Sequence, residues 1–156
     1  MKKYINRKDF LNIDESDVLF ITNPGRMGDE DGITFVVKKG NNYNIYRVDG
    51  WMYPDKNDKE RITLRDAIRQ FPKWHEAWEN CNDKKYHGKY KYLYMGFGDG
   101  LCIDNSIYDE YKPYLDEEVN KYLDACSEDK ESFQYAAIFN TWDEALIKMI
   151  DDKNDK

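Results

Sequence analysis

The sequence predicts a single α+β domain spanning residues 1–156. The length suits one domain that encloses its own core. Short apolar runs separated by turn residues indicate strands, and other segments repeat apolar residues at helical spacing. Phe, Trp and Tyr make up 15% of the chain, which supplies bulky core side chains despite a mean hydropathy of -0.95.

The N-terminal third has the pattern of an antiparallel β meander. The apolar run 17–22 ends at Asn23-Pro24-Gly25, which predicts a buried strand followed by a loop. Residues 33–38 and 43–48 flank the turn at Gly40-Asn41-Asn42, as expected of a hairpin.

The middle of the chain predicts two helices and then a second hairpin. Thr63 with Asp66 is a helix-capping pair, and four apolar residues follow at helical spacing: Leu64, Ala67, Ile68 and Phe71. Pro72 predicts a kink or the start of a second short helix. The alternating segment 90–97 and the apolar run 101–103 indicate strands joined by the glycine-rich turn 96–100.

The C-terminal third predicts helix, strand and helix. Asp104-Asn105-Ser106 is expected to cap a helix that is interrupted at Lys112-Pro113 and resumes through Cys126. The run 133–139 is interpreted as a last strand. Thr141-Trp142-Asp143-Glu144 is a capping box, which predicts a docked terminal helix that ends near Asp151, with residues 152–156 frayed.

The charge of the chain is uneven and indicates a basic partner. The net charge is -7, but residues 1–100 hold 18 basic and 16 acidic residues, whereas residues 101–156 hold 6 and 15. Such a surface favours cationic partners and disfavours nucleic acid or anionic membrane near the acidic third. On a helical projection of 105–126, five carboxylates lie opposite the apolar stripe: Asp109, Glu110, Asp116, Glu117 and Asp124.

These five residues are the predicted partner-binding face of a non-enzymatic binding protein. The most concrete hypothesis is an inhibitor of a basic nucleic-acid-handling enzyme, of the kind that phages direct against host defence. An immunity protein or antitoxin that neutralises a cognate toxin is an alternative, because it too needs only a complementary surface.

Two other function classes have a basis in the sequence. A small enzyme would use Cys102, with His87 as its nearest candidate base, or a pair of carboxylates. A binder of single-stranded nucleic acid would use the aromatic-interleaved lysines Lys84, Lys85, Lys89 and Lys91. We interpret these lysines instead as guards of an exposed strand edge, and Cys102 as a core residue.

The remaining motifs predict no metal, cofactor or membrane anchor. His75 and His87 stand on different predicted elements without ligands at metal-binding spacing. Asp29-Glu30-Asp31-Gly32 lacks the ligand positions of a calcium loop, and 96–100 matches no phosphate-binding motif. Three scattered cysteines and the lack of a signal peptide or a long apolar segment predict a cytoplasmic protein with free thiols.

Overall fold

Six strands and five α-helices make up the part of the chain that the computed structural model describes, namely residues 2–22, 32–96, 99–125 and 135–155. The strands are β1 (Lys2–Tyr4), β2 (Val18–Thr22), β3 (Ile33–Lys39), β4 (Asn42–Val48), β5 (Tyr90–Gly96) and β6 (Asp99–Asp104). The helices are α1 (Arg7–Leu11), α2 (Leu64–Gln70), α3 (Pro72–Glu79), α4 (Asn105–Ala125) and α5 (Tyr135–Asn154). Two short 3₁₀ turns, Glu15–Asp17 and Lys84–Tyr86, complete these elements.

The strands form one mixed sheet in the order β1-β4-β3-β2-β6-β5. The predicted meander is confirmed, since β3 pairs antiparallel with both β2 and β4. The predicted second hairpin is also confirmed as the β5–β6 pair. It joins the meander where β6 pairs antiparallel with β2, opposing Ile21 to Cys102. The chain is therefore a single α+β domain, as its sequence predicts.

Helices cover both faces of this sheet, which separates the core into two layers. On one face, α1, α2 and α3 place Phe10, Phe71 and Trp74 against alternate residues of β2, β3 and β6. On the other face, α4 and α5 place Tyr111 and Leu146 against the intervening strand residues. The central strand β3 is buried on both sides from Ile33 to Val37, which explains why four of these five residues are apolar.

A polar network fixes the start of α2. Thr63 and Asp66 form the predicted capping box: the Asp66 backbone N–H donates to the Thr63 hydroxyl, and the Thr63 backbone N–H donates to the Asp66 carboxylate at 3.0 Å. The Arg7 guanidinium of α1 also donates to Asp66, with N–O distances of 2.8 and 3.3 Å. One carboxylate thus joins two helices that are far apart in sequence.

The structure adds two N-terminal elements that the sequence analysis did not predict. Strand β1 pairs parallel with β4 at the edge of the sheet, aligning Lys3 with Tyr46. Helix α1 follows with Asn6 as its N-cap, and it buries Phe10 against Phe35 and Phe71. Each element is five residues or shorter, too short to show a periodic pattern in sequence.

The predicted interruption at Lys112-Pro113 is wrong, because α4 is one continuous helix with Pro113 inside it. A proline removes one helical hydrogen bond, here the bond to the carbonyl of Asp109. Pro113 is exposed, whereas Ile107, Tyr111 and Leu115 are buried against the sheet. Packing on both sides of the proline therefore holds the two halves of the helix in line. The predicted cap is confirmed by the Asp104 carboxylate, which accepts the Ser106 backbone N–H at 2.9 Å.

The predicted last strand over 133–139 is wrong from Tyr135 onward, because that segment is the first part of α5. Its residues 133–134 lie outside the described residues. Thr141 is consequently inside a helix rather than at its N-cap, whereas the docked helix itself is confirmed. The helix runs to Asn154, past the predicted end near Asp151, because the Asn154 side chain bonds to the backbone of Tyr43. Tyr135, Ile138 and Trp142 continue the helical spacing of the later stripe, and a short apolar run fits a helix as well as a strand.

Candidate functional site

The predicted acidic residues lie on the solvent side of α4. Asp109, Glu110, Asp116 and Glu117 are all exposed, while Tyr111 and Leu115 on the same helix face the sheet. Asp124 belongs to α4, but its side chain lies outside the part that the structure describes. The helix therefore brings four of the five predicted residues to one accessible surface.

Helix α5 packs beside α4 and enlarges this surface. Glu144, Asp151 and Asp152 are exposed, and Asp152 accepts a hydrogen bond from the Tyr114 hydroxyl of α4 at 2.6 Å. The two helices together carry ten acidic residues and four lysines. We call the exposed side of α4 and α5 the acidic face.

Lysines from the same two helices lie among these carboxylates. Within α4, Lys112 pairs with Asp116 at 2.8 Å and Lys121 with Glu117 at 3.3 Å. Two further pairs join the helices and are formed by Lys153 with Glu110 and by Lys148 with Glu118. The hydrogen bond from Lys148 holds the pKa of Glu118 below its ordinary value. The two helices that form the acidic face keep a net negative charge despite these pairs, because their acids outnumber their lysines by ten to four.

Three tyrosines of the basic segment that contains Lys84, Lys85, Lys89 and Lys91 contact helix α3. Tyr90 is buried against Trp74, and burial is the main cause that raises the pKa of Tyr90 to about 12. The hydroxyl groups of Tyr86 and Tyr92 bond to helix α3, at Glu76 and at the carbonyl of Ala77. Lys89 pairs with Asp104 at 3.1 Å. These contacts agree with the interpretation of the segment as a strand edge.

Cys102 is enclosed in the core between the sheet and helices α1–α3. None of its surface is exposed, and burial raises the pKa of its thiol far above the ordinary value. His87 lies at the surface, where its Nε2 is 2.7 Å from the carbonyl oxygen of Cys81. A buried thiol with a raised pKa is a poor nucleophile, so this geometry supplies no support for thiol chemistry.

Native alkylation tests this placement of the cysteines. We expect iodoacetamide to leave Cys102 unmodified in the folded protein and to modify it fully in denaturant. In the fold the Cys102 sulfur is inaccessible to the reagent, and its raised pKa keeps it in the unreactive thiol form. Half-buried Cys81 serves as the internal control and reacts faster. Peptide mapping by mass spectrometry measures both sites. Rapid native modification of Cys102 at neutral pH would revive the thiol-enzyme hypothesis.

The described residues form no candidate metal site and no candidate membrane-spanning helix. No three His, Cys, Asp or Glu side chains within 2–22, 32–96, 99–125 and 135–155 come together in a group that could hold a metal ion. The calcium-like carboxylates Asp29, Glu30 and Asp31 lie outside those ranges. None of the described helices is both long and apolar enough to cross a membrane.

A second charged surface, absent from the sequence predictions, lies on the side of the sheet that α1 and α2 cover. It is a cleft of about 990 Å³ between these helices and the loop that connects β4 to α2. We call it the cationic cleft, since six basic side chains line it: Arg7, Lys56, Lys59, Arg61, Arg65 and Arg69. The spacing of Arg65 and Arg69 on one face of α2 was the available sequence signal.

No family model, curated protein or solved structure matches this chain.

Proposed function

We propose that this chain is a non-enzymatic binding protein whose acidic face docks on a basic protein. The most concrete form is an inhibitor of a nucleic-acid-handling enzyme, such as a phage antagonist of host defence. The observation that supports it is the exposure of Asp109, Glu110, Asp116 and Glu117 on α4, one of two adjacent helices whose sequences together contain ten acids and four lysines.

The spacing of these carboxylates suits a partner that binds a charged polymer. Asp109 and Asp116 are seven residues apart, as are Glu110 and Glu117, so two carboxylate pairs recur about 10.5 Å apart along the helix axis. A surface with periodic negative charge attracts the same cationic groups that hold nucleic acid phosphates. It also accelerates diffusional encounter with a basic protein.

The internal lysines are compatible with docking. Exposed ion pairs such as Lys112–Asp116 contribute only about 0–1 kcal/mol each, so a partner's arginine can replace the internal lysine at little cost. Arginine on the partner gains further from its bidentate geometry.

Affinity capture with a charge-neutralised variant tests this function. The variant combines Asp109→Asn, Glu110→Gln, Asp116→Asn, Glu117→Gln and Asp124→Asn. We expect the unaltered protein to capture a basic nucleic-acid-handling enzyme at low salt and to inhibit it in an activity assay. The variant is expected to bind at least about tenfold more weakly, because five charges that attract the partner are gone.

The matched control removes five exposed or half-buried acids elsewhere: Asp9→Asn, Asp17→Asn, Asp49→Asn, Glu60→Gln and Glu79→Gln. It changes the net charge equally, so its binding is expected to stay within about twofold of the unaltered protein. Equal loss in both variants, or none in either, would contradict the acidic face as the docking surface. A captured toxin in place of a host enzyme would point to an immunity protein instead.

A further inference from the structure

The carboxylates that line the cationic cleft are already bonded to groups of the protein. Asp66 accepts hydrogen bonds from Arg7 and from the Thr63 backbone. Asp55 accepts the Asn57 backbone N–H at 2.8 Å and lies 3.4 Å from Arg61. The backbone N–H of Glu60 donates to Asp58 at 3.2 Å. These three carboxylates therefore accept hydrogen bonds from nearby backbone N–H groups, and two of them also pair with Arg7 or Arg61.

Four cations of the cleft have no acidic partner within 4.0 Å in the described part of the chain: Lys56, Lys59, Arg65 and Arg69. All four are exposed at the cleft. Arg65 and Arg69 are four residues apart on α2, a spacing at which like charges repel and destabilise a helix. An anionic ligand between them would relieve that repulsion.

Two large exposed side chains adjoin these charges. Tyr53 is 73% exposed and Met52 is 49% exposed, and both line the cleft. Next to them, the Arg61 guanidinium lies 3.8 Å above the ring of Trp51. The exposed ring of Tyr53 beside a row of cations offers a flat face for stacking.

The segment 51–53 and helix α2 are held in fixed relation. The backbone N–H of Leu64, the first residue of α2, donates to the Trp51 carbonyl at 2.8 Å. The turn between Asp55 and Asp58 is closed by its own backbone hydrogen bond of 3.0 Å. The cleft therefore exists before a ligand arrives, which reduces the ordering that binding requires.

We propose that the cationic cleft binds a nucleoside phosphate, either free or within a single strand of nucleic acid. Arg65 and Arg69 contact the phosphate together with Lys56 and Lys59, and Tyr53 stacks on the base. The volume of about 990 Å³ is at the upper end of the range for small-molecule sites. An acidic peptide would satisfy the cations but would leave the exposed ring of Tyr53 without a stacking partner.

This site is separate from the acidic face, because α2 and α4 pack on opposite sides of the sheet. The net charge of -7 disfavours nucleic acid for the chain as a whole. Within a Debye length of about 10 Å at 0.1 M salt, however, the local charge decides binding, and the charge in the cleft is positive. One chain can thus attract a basic protein on one side and a phosphate on the other.

Titration with three probes at low salt tests the proposal: ATP, inorganic tripolyphosphate, and a fluorescent single-stranded oligothymidylate of ten nucleotides. We expect ATP or the oligonucleotide to bind more tightly than tripolyphosphate, with affinity that falls as salt rises. If ATP binds more tightly than the oligonucleotide, the ligand of the cleft is a free nucleotide. If the oligonucleotide binds more tightly, the ligand is a single strand of nucleic acid. Either result supports the site.

Two variants assign the contacts. The double variant Arg65→Gln/Arg69→Gln is expected to weaken nucleotide binding by about tenfold or more. Its matched control, Lys84→Gln/Lys85→Gln, removes the same charge from the basic segment outside the cleft and should change binding less than about twofold. Tyr53→Ala is expected to weaken binding of the nucleotide probe about tenfold while leaving tripolyphosphate unchanged. Thermal unfolding confirms that each variant is folded, as expected for exposed positions.

Three results would overturn the proposal. The first is no binding of any probe at millimolar concentration and low salt. The second is binding that Arg65→Gln/Arg69→Gln leaves intact or that the Lys84/Lys85 control weakens equally. The third is binding of hexaglutamate as tightly as the nucleotide probes with no effect of Tyr53→Ala. The Arg65→Gln/Arg69→Gln variant should still capture the basic partner of the acidic face, so the two functions fail or stand independently.

Discussion

Replacing Tyr111 with alanine is expected to lower the free energy of unfolding by about 3–5 kcal/mol, the range for truncating a large buried aromatic. Tyr111 has no exposed surface, its ring meets Phe20 edge-on at 5.5 Å, and its hydroxyl donates to the carbonyl of Trp142 at 3.0 Å. The side chain thereby joins α4, β2 and α5. Equilibrium unfolding in urea at neutral pH measures the loss.

Two conservative variants separate the ring from its hydroxyl. Tyr111→Phe keeps the ring and loses one buried hydrogen bond, so it is expected to cost about 1 kcal/mol. Tyr114→Phe is the matched control at the surface, where the hydroxyl bonds exposed Asp152, and it should cost less than about 0.5 kcal/mol. A loss below about 1 kcal/mol for Tyr111→Ala would mean that α4 does not pack on the sheet through this residue.

Replacing Asp66 with alanine is expected to cost about 2–4 kcal/mol. The change removes the N-terminal capping box of α2, worth about 0.5–2 kcal/mol, and charge-assisted hydrogen bonds from Arg7 worth about 1.5–3 kcal/mol. The two contributions overlap, because both pass through one carboxylate. Exposed Glu79, replaced by glutamine, is the control and should change stability by less than about 0.5 kcal/mol.

The same carboxylate gives folding an acid dependence. Burial acts to raise the pKa of Asp66, but hydrogen bonds from Arg7 and Thr63 and the charge of Arg7 outweigh it and hold the pKa below its ordinary value of 3.8. The stability from Asp66 is therefore fully present above about pH 4 and is lost as pH falls through the folded-state pKa. Asp66→Asn should flatten the decline of unfolding free energy below about pH 4, and urea titrations at several pH values measure it. An unchanged slope would contradict the ionised Asp66–Arg7 pair.

Elements with strong local signals were predictable from the sequence. The capping pair Thr63–Asp66, the turn at Gly40 and the alternation after Tyr90 each follow from backbone chemistry within a few residues, and each is found in the fold. The continuity of α4 depended instead on packing, and the apolar run at the start of α5 fits either a helix or a strand. Pro113 is tolerated because its neighbours dock on the sheet, and the run before Thr141 is helical because its stripe continues that of α5.

The acidic face was predictable because helical spacing alone gathers its residues. The cationic cleft was not predictable from charge counts, since residues 52–69 contain five bases and four acids and are nearly neutral. In the fold, the acids and the bases of this segment make different contacts. The carboxylates of Asp55, Asp58 and Asp66 accept backbone N–H groups, whereas the lysines and arginines line the cleft. A linear sequence does not show which charges the backbone will neutralise.

The position of β6 between β2 and β5 bears on how the chain is synthesised. Strand β2 is complete at Thr22, but its neighbour on one side begins at Asp99. A nascent chain, or a fragment cut before Asp99, leaves the β2 edge with open backbone groups beside Phe20 and Ile21. Such an edge recruits strands from other molecules. Truncated forms should therefore aggregate during expression, whereas chains released after β6 has emerged can seal that edge internally.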